Sequence, residues 1–194
     1  MPNSDYLRTQ SGALIHKNAK IGSGVQLENG VVIDSGVVIG SGVLIGSRSR
    51  IGAGVVIGSD ARIESDARIG AGSCIGAGSR IRAGVVIGSE ARIGDGVRIE
   101  SGTRIESGVR IKSGSWIESG ATIEDDVLIE SDVLIESGVR IESGVRIKSG
   151  AVIGSGAVIG SRARIGRRAT IEDDVLIKSG AVIEKTINPQ NPQE

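Results

Sequence analysis

The sequence predicts an all-β protein with a single domain, a β-solenoid in which short parallel strands are wound into stacked coils. An aliphatic residue recurs at every sixth position from Ile15 to Ile183, and 28 of these 29 residues are isoleucine. Six residues advance an α-helix by about 600°, which would spread the isoleucines around it. A glycine or another turn-forming residue follows three positions after nearly every isoleucine. The period therefore predicts a short strand followed by a tight corner.

A second inward row accompanies the isoleucines. The residue two positions before each of them is small or β-branched, as in Ala13, Val25, Ser49 and Thr103. In an extended segment these two positions point to the same side, and the residues next to the isoleucine point to the other. The chain has no Phe, one Trp and one Tyr, so we expect a core made of aliphatic side chains.

The corner residues agree with this reading. Of the 29 corners from position 12 to position 180, 19 are Gly and six are Asn or Asp, the residue types that best tolerate a positive φ. The other four corners are predicted to be strained or differently turned: Arg48, Glu90, Arg162 and Arg168.

This pattern resembles the hexapeptide-repeat superfamily, and the resemblance covers residues 13–184. It implies a left-handed parallel β-helix with three hexapeptides per triangular coil, hence about nine to ten coils in this chain. Residues 18 positions apart should then stack at about 4.8 Å. We expect residues 1–12 to form an N-terminal cap, residues 13–184 the solenoid and residues 185–194 a polar tail that ends it.

The coil period assigns each outward residue before an inward isoleucine to one of three faces. Face 1 carries Leu14, Val32, Arg50, Arg68, Val86, Arg104, Thr122, Arg140, Val158 and Leu176. Face 2 carries Lys20, Val38, Val56, Cys74, Arg92, Arg110, Leu128, Arg146, Arg164 and Val182. Face 3 carries Gln26, Leu44, Arg62, Arg80, Arg98, Trp116, Leu134, Val152 and Thr170.

Two apolar runs on these faces are candidate contacts for a homo-oligomer. They are Val38, Val56 and Cys74 on face 2, and Trp116, Leu134 and Val152 on face 3. Two alternatives stay open. The valines are also ordinary strand residues, and Trp116 could lie over Arg98 as a cation–π pair.

Charge and cysteine content exclude several classes of partner. Lys and Arg total 23 and so do Asp and Glu, which predicts neither nucleic acid nor a membrane as partner. Cys74, the single cysteine, cannot form an internal disulfide. No signal peptide or transmembrane segment is recognisable, so a cytoplasmic location is the default expectation.

The resemblance also defines what an enzyme of this superfamily would need. Its acyltransferases are implied to be trimers with a catalytic histidine between subunits and a loop that interrupts the repeat; its carbonic anhydrases bind a metal through three histidines. This chain has no such loop between residues 13 and 184, and its one histidine is His16. A zinc site at Cys74 would lack further ligands. The sequence therefore predicts no catalytic, cofactor-binding or metal-binding residue.

Two carboxylate ladders remain to be explained. Glu106, Glu124 and Glu142 should stack as one ladder, and Glu100, Glu118 and Glu136 as another. Stacked carboxylates can collect cations such as calcium, but adjacent arginines can also neutralise them.

The leading hypothesis from sequence is a non-enzymatic rod or scaffold that self-associates laterally or end to end. The first alternative is a degenerate acyltransferase with a site at a subunit interface. The second is an idealised or engineered solenoid, or a flat surface that binds ice or mineral. Ice-binding solenoids of this class carry paired outward threonines on one flat face. The repeat of this chain has two outward threonines, Thr122 and Thr170, and they lie on different faces, which gives ice binding little support.

Overall fold

A computed structural model of the chain describes residues 5–187. The prediction of a left-handed parallel β-helix is confirmed, with about nine turns and three sheets, one for each face. Within the described residues every regular element is a β-strand. No helix in this part of the chain could cross a membrane.

The thirty strands are short, and most contain one outward residue and one inward isoleucine. Sheet 1 contains β1 Tyr6–Arg8, β2 Leu14–His16, β5 Val32–Ile33, β8 Arg50–Ile51, β11 Arg68–Ile69, β14 Val86–Ile87, β17 Arg104–Ile105, β20 Thr122–Ile123, β23 Arg140–Ile141, β26 Val158–Ile159 and β29 Leu176–Ile177. Sheet 2 contains β3 Lys20–Ile21, β6 Val38–Ile39, β9 Val56–Ile57, β12 Cys74–Ile75, β15 Arg92–Ile93, β18 Arg110–Ile111, β21 Leu128–Ile129, β24 Arg146–Ile147, β27 Arg164–Ile165 and β30 Val182–Ile183. Sheet 3 contains β4 Gln26–Leu27, β7 Leu44–Ile45, β10 Arg62–Ile63, β13 Arg80–Ile81, β16 Arg98–Ile99, β19 Trp116–Ile117, β22 Leu134–Ile135, β25 Val152–Ile153 and β28 Thr170–Ile171.

The coils stack in the register that the sequence predicts. Arg62 lies beside Arg80 and Ile63 beside Ile81 in a parallel pair, and the same 18-residue offset recurs along each sheet. Strand amides bond to the carbonyl 17 residues further on, as from Val38 to Val55 at 2.9 Å. Corner amides bond back to the preceding coil, as from Gly54 to Ser35 at 2.8 Å.

The core is aliphatic and continuous from one end of the solenoid to the other. Buried hydroxyls replace valine or alanine at five inward positions, and each donates to a backbone carbonyl 15 residues on. The five are Ser49, Ser73, Ser79, Thr103 and Ser115, with donor–acceptor distances of 2.9–3.1 Å. Buried polar side chains are thereby satisfied.

The corners confirm the glycine pattern and refine its exceptions. All 19 corner glycines have a positive φ. Arg48, Glu90, Arg162 and Arg168 also have a positive φ, between 55° and 60°, so they are strained but not differently turned. Asn18 departs from the rule, because its φ is not positive. Its corner is held instead by a hydrogen bond from the Ala19 amide to the His16 carbonyl, 2.9 Å.

Both described ends carry a strand-like segment along sheet edges. β1 pairs antiparallel with β2, and Tyr6 lies opposite His16. At the other end Ile187 forms a parallel bridge with Ile171 and is buried. The rest of the expected tail, 188–194, lies outside the described residues, as do residues 1–4 of the expected cap.

Candidate active site in the first coil

The histidine lies in a polar cluster that the sequence reading did not assemble. Strand β2 is one residue longer than the later strands of sheet 1, and it ends on His16. Because β1 runs antiparallel beside it, the Tyr6 ring meets the His16 ring edge-on, with centroids 5.2 Å apart and planes at 86°. Asp34 follows Ile33, which pairs with Ile15, so Asp34 stands one coil above His16. Tyr6, His16 and Asp34 are all half-buried.

The His16 ring is oriented by Asn18. The Nδ1 atom of His16 lies 2.5 Å from the Oδ1 atom of Asn18. The Gly36 amide donates to the same Oδ1 at 3.0 Å, which identifies that atom as an oxygen. The backbone N–H of Asn18 also points at Nδ1, 3.3 Å away, so this nitrogen has both a donor and an acceptor beside it. In the tautomer that donates from Nδ1 to the Asn18 oxygen, the lone pair lies on Nε2.

Tyr6 connects the cap to the second coil. Its hydroxyl donates to the Oδ1 atom of Asp34 at 2.7 Å. This hydrogen bond, with smaller contributions from burial and the charges of Asp34 and Asp5, raises the pKa of the Tyr6 phenol. Tyr6 thus stays protonated and packed against His16, and the cluster holds the imidazole ring in a fixed orientation.

The structure brings each apolar run together but keeps the two runs apart. Val38, Val56 and Cys74 occupy adjacent strands of sheet 2 and are exposed; Cys74 is a free thiol. Leu134 and Val152 follow Trp116 on adjacent strands of sheet 3. The guanidinium carbon of Arg98 is 5.7 Å from the Trp116 ring centroid, so the cation–π pair also forms.

The carboxylate ladders are occupied by contacts within the chain. Glu142 accepts hydrogen bonds from the amide and hydroxyl of Ser161, at 2.9 and 2.7 Å. Glu124 bonds to Arg140 at 2.8 Å, and similar links join Glu118 to Ser137 and Glu136 to Ser155. Among residues 5–187 no cluster of His, Cys, Asp and Glu could hold a metal ion.

These serine contacts also change acidity. The pKa of Glu142 is lowered, mainly by the hydrogen bond from the Ser161 hydroxyl. The Ser161 amide and the charge of Arg140 lower it further. The Ser47 hydroxyl and amide likewise lower the pKa of Glu28. The ladders therefore act as hydrogen-bonded links between successive coils.

The fold and the repeat define a class of protein, the left-handed β-helices built from hexapeptides. The sequence profile of the family described as "Bacterial transferase hexapeptide (six repeats)" matches residues 12–47, 48–83, 120–155 and 150–185, more than half of the chain. The chain belongs to this family. No curated protein sequence matches it significantly.

Two solved structures with a similar fold are described as acyltransferases. The chain is similar to LpxA, a UDP-N-acetylglucosamine acyltransferase from Bacteroides fragilis 9343, with a TM-score of 0.79 and 23% identity over 84% of this chain and 70% of that one. The corresponding enzyme from Moraxella catarrhalis RH4 gives a TM-score of 0.57 and 19% identity over 87% of this chain and 66% of that one. The chain thus spans slightly less than two thirds of the length of the second enzyme.

These findings correct the leading hypothesis from sequence. A non-enzymatic rod or scaffold is wrong, because the chain belongs to a family of transferases and its fold matches acyltransferases. The alternative of an acyltransferase fits better. The rod hypothesis rested on the unbroken repeat, the single histidine and the single cysteine. Asn18 was counted among the corner residues, but neither Asn18 nor Asp34 was predicted to contribute to a site, although Asp34 lies 18 positions after His16.

Proposed function

We propose that the chain is an acyltransferase that moves an acyl group from a thioester to a hydroxyl or amine, with His16 as general base. The observation that carries this proposal is the orientation of His16 by Asn18, which leaves the lone pair of Nε2 free. A general base needs such an orienting partner and a titratable nitrogen that is accessible to substrate. His16 is half-buried, which satisfies the second need.

The chemistry follows from that geometry. Nε2 of His16 takes the proton of the acceptor as its oxygen or nitrogen attacks the thioester carbonyl, and a tetrahedral oxyanion forms. When this intermediate collapses, the C–S bond breaks and the acyl group stays on the acceptor. The imidazolium then returns its proton to the leaving thiolate, so His16 ends neutral. Asn18 keeps the proton on Nδ1 throughout.

The acceptor class is suggested by the similar structures. Two matched enzymes are UDP-N-acetylglucosamine acyltransferases, so a nucleotide-linked amino sugar is the first acceptor to test. Donors should span acetyl to long-chain acyl thioesters, with thiol release and the mass of the acylated sugar as readouts. We expect His16→Ala to lower the rate by about 10²–10⁴-fold, the usual contribution of a general base.

The control is Cys74→Ala, which removes the single thiol on face 2 without touching the first coil. It should keep wild-type activity. Circular dichroism should show that both variants retain the β-solenoid. Equal activity of His16→Ala and wild type, or no transfer with any donor, would overturn the proposal.

We propose further that the enzyme is a homo-oligomer joined through the apolar run of face 3. Trp116, Leu134 and Val152 lie in register on three adjacent strands, and Trp116 is 41% exposed. Large, partly exposed aromatic residues are frequent anchors of protein interfaces. Contact between parallel prisms would place the first coils of neighbouring protomers at the same level, with His16 on a different face, at the end of β2 in sheet 1.

The contact predicts that Trp116→Glu lowers the molar mass in solution while leaving the fold intact. Leu176→Glu is the matched control, since Leu176 is an exposed aliphatic residue on face 1. Light scattering over a range of concentrations measures the mass of each variant. An unchanged mass of Trp116→Glu would show that the contact lies elsewhere.

A further inference from the structure

Charge is sorted by face, although it sums to zero over the chain. Between residues 92 and 166, the columns before and after the inward isoleucines of sheet 2 hold six cations and one anion. The cations are Arg92, Arg110, Lys112, Arg146, Lys148 and Arg164, and the anion is Glu130. Over the matching coils, face 1 holds Arg104 and Arg140 against Glu106, Glu124 and Glu142. Face 3 holds Arg98 against Glu100, Glu118, Glu136 and Glu172.

The six cations of face 2 are free to meet a partner. All are exposed, and none makes an ion pair with another residue of the described chain. Ion pairs at 2.7–2.8 Å involve Arg48, Arg82 and Arg140 instead. The single acid of these columns, Glu130, is bound by the Ser149 hydroxyl at 3.0 Å, and the charges of Lys112 and Lys148 help to lower its pKa. Face 2 is thus a cationic surface with little internal neutralisation.

The shape of face 2 is that of a flat plate. Strands β15 to β27 place Arg92 and Arg164 four coils apart, a distance of about 19 Å at ordinary strand spacing. Glycines occupy the column after the isoleucine in the first half of the face: Gly22, Gly40, Gly58, Gly76 and Gly94. Near the C-terminal end Arg146, Lys148 and Arg164 line a groove together with Gly166, Val182 and one acid, Glu184.

Exposed aliphatic residues share the same plate. Val38, Val56 and Val182 on face 2 are exposed by 38%, 44% and 53%, and the half-buried Leu128 lies between Arg110 and Arg146. A surface that combines lysine and arginine with outward aliphatic side chains fits the boundary between lipid headgroups and acyl chains. Proteins that bind single-stranded nucleic acid usually stack its bases on aromatic side chains. Trp116 lies on face 3, so it cannot serve this purpose on face 2.

From these observations we propose that face 2 docks the protein on an anionic lipid bilayer. The juxtaposition that carries the proposal is a row of cations without ion pairs on the same sheet as exposed valines, with Val182 directly beside Arg164 and Val38 and Val56 on strands before Arg92. Each lysine or arginine held near an anionic leaflet adds to the attraction, and acidic columns on faces 1 and 3 disfavour docking through those faces. The protein would lie with its long axis along the membrane. Face 3 would remain available for contact between protomers.

The test is co-sedimentation of the full chain with vesicles of phosphatidylcholine alone or with about one third phosphatidylglycerol. We expect binding to the anionic vesicles only, and weaker binding as salt rises because screening shortens the range of the attraction. Arg146→Glu combined with Arg164→Glu should lower the partition coefficient by about 30-fold or more. These two residues are direct neighbours in sheet 2.

The matched control is Arg50→Glu combined with Arg68→Glu. This pair has the same stacked geometry on face 1 and the same change in charge. Retained binding by the control and lost binding by the face 2 variant would support the proposal. It would be overturned if wild type ignores anionic vesicles, if both variants lose binding equally, or if a single-stranded oligonucleotide binds at a salt concentration where vesicles do not.

Discussion

Replacing Ile99 by aspartate is expected to disrupt the middle of the solenoid. The Ile99 side chain is fully buried in sheet 3, between Ile81 and Ile117. Loss of a buried isoleucine typically costs about 2–5 kcal/mol. A carboxylate in the aliphatic core adds several kcal/mol, because no polar partner replaces its hydration. The sum is comparable to the total stability of an ordinary domain, about 5–15 kcal/mol.

Arg98→Asp provides the matched control for this change. Arg98 precedes Ile99 in the same strand but is exposed, so the same new side chain remains in water. We expect thermal unfolding followed by circular dichroism to show a large fall in midpoint for Ile99→Asp and a small one for Arg98→Asp. Similar midpoints for the two variants would contradict the inward orientation of the isoleucine ladder.

A deletion of three residues is expected to be more damaging than a deletion of six. Removing residues 97–102 takes out one complete hexapeptide, and the ladder resumes at Thr103 and Ile105 with its period unbroken. Removing only residues 97–99 takes out two inward residues, Val97 and Ile99, but leaves their corner. The shorter deletion therefore removes the strand that lies between β13 and β19 in sheet 3. The backbone amides and carbonyls of β13 and β19 that face the gap then lose their hydrogen-bond partners.

Unfolding of both deletion variants can be measured side by side. We expect the six-residue variant to unfold cooperatively near the wild-type midpoint, because stability in a solenoid is shared between neighbouring repeats. The three-residue variant should unfold at a clearly lower temperature, or in two steps. Equal loss of stability would mean that the hexapeptide is not the structural unit.

The core and the register could be predicted from sequence because each depends on one short repeat. The spacing of isoleucine fixed which side chains are buried, and the coil period fixed which residues stack. The corners Arg48, Glu90, Arg162 and Arg168 show the limit of residue preference. They adopt a positive φ at a cost of about 1–2 kcal/mol each, because cross-coil hydrogen bonds hold the corner amides in place, as between Arg162 and Ser143.

The candidate site could not be predicted in the same way. The contact between Tyr6 and His16 depends on an antiparallel pairing outside the repeat, and no periodicity indicates where β1 lies. The orientation of His16 depends on a non-standard corner at Asn18, which the rule for corners assigned to a positive φ. The charge of face 2 was obscured for another reason. The net charge of the whole chain is zero, and the excess of cations on face 2 appears only when the charged residues are grouped by face.

The 18-residue offset between paired strands means that nearly every hydrogen-bond partner lies within one turn of the chain. Parallel β-proteins usually fold slowly, since distant segments must meet before they are stabilised. Here each new coil needs only the coil made just before it, so loop closure costs the same small entropy at each step. A chain emerging from the ribosome could therefore add coils in the order of synthesis, with the His16 cluster assembled before the cationic plate is complete.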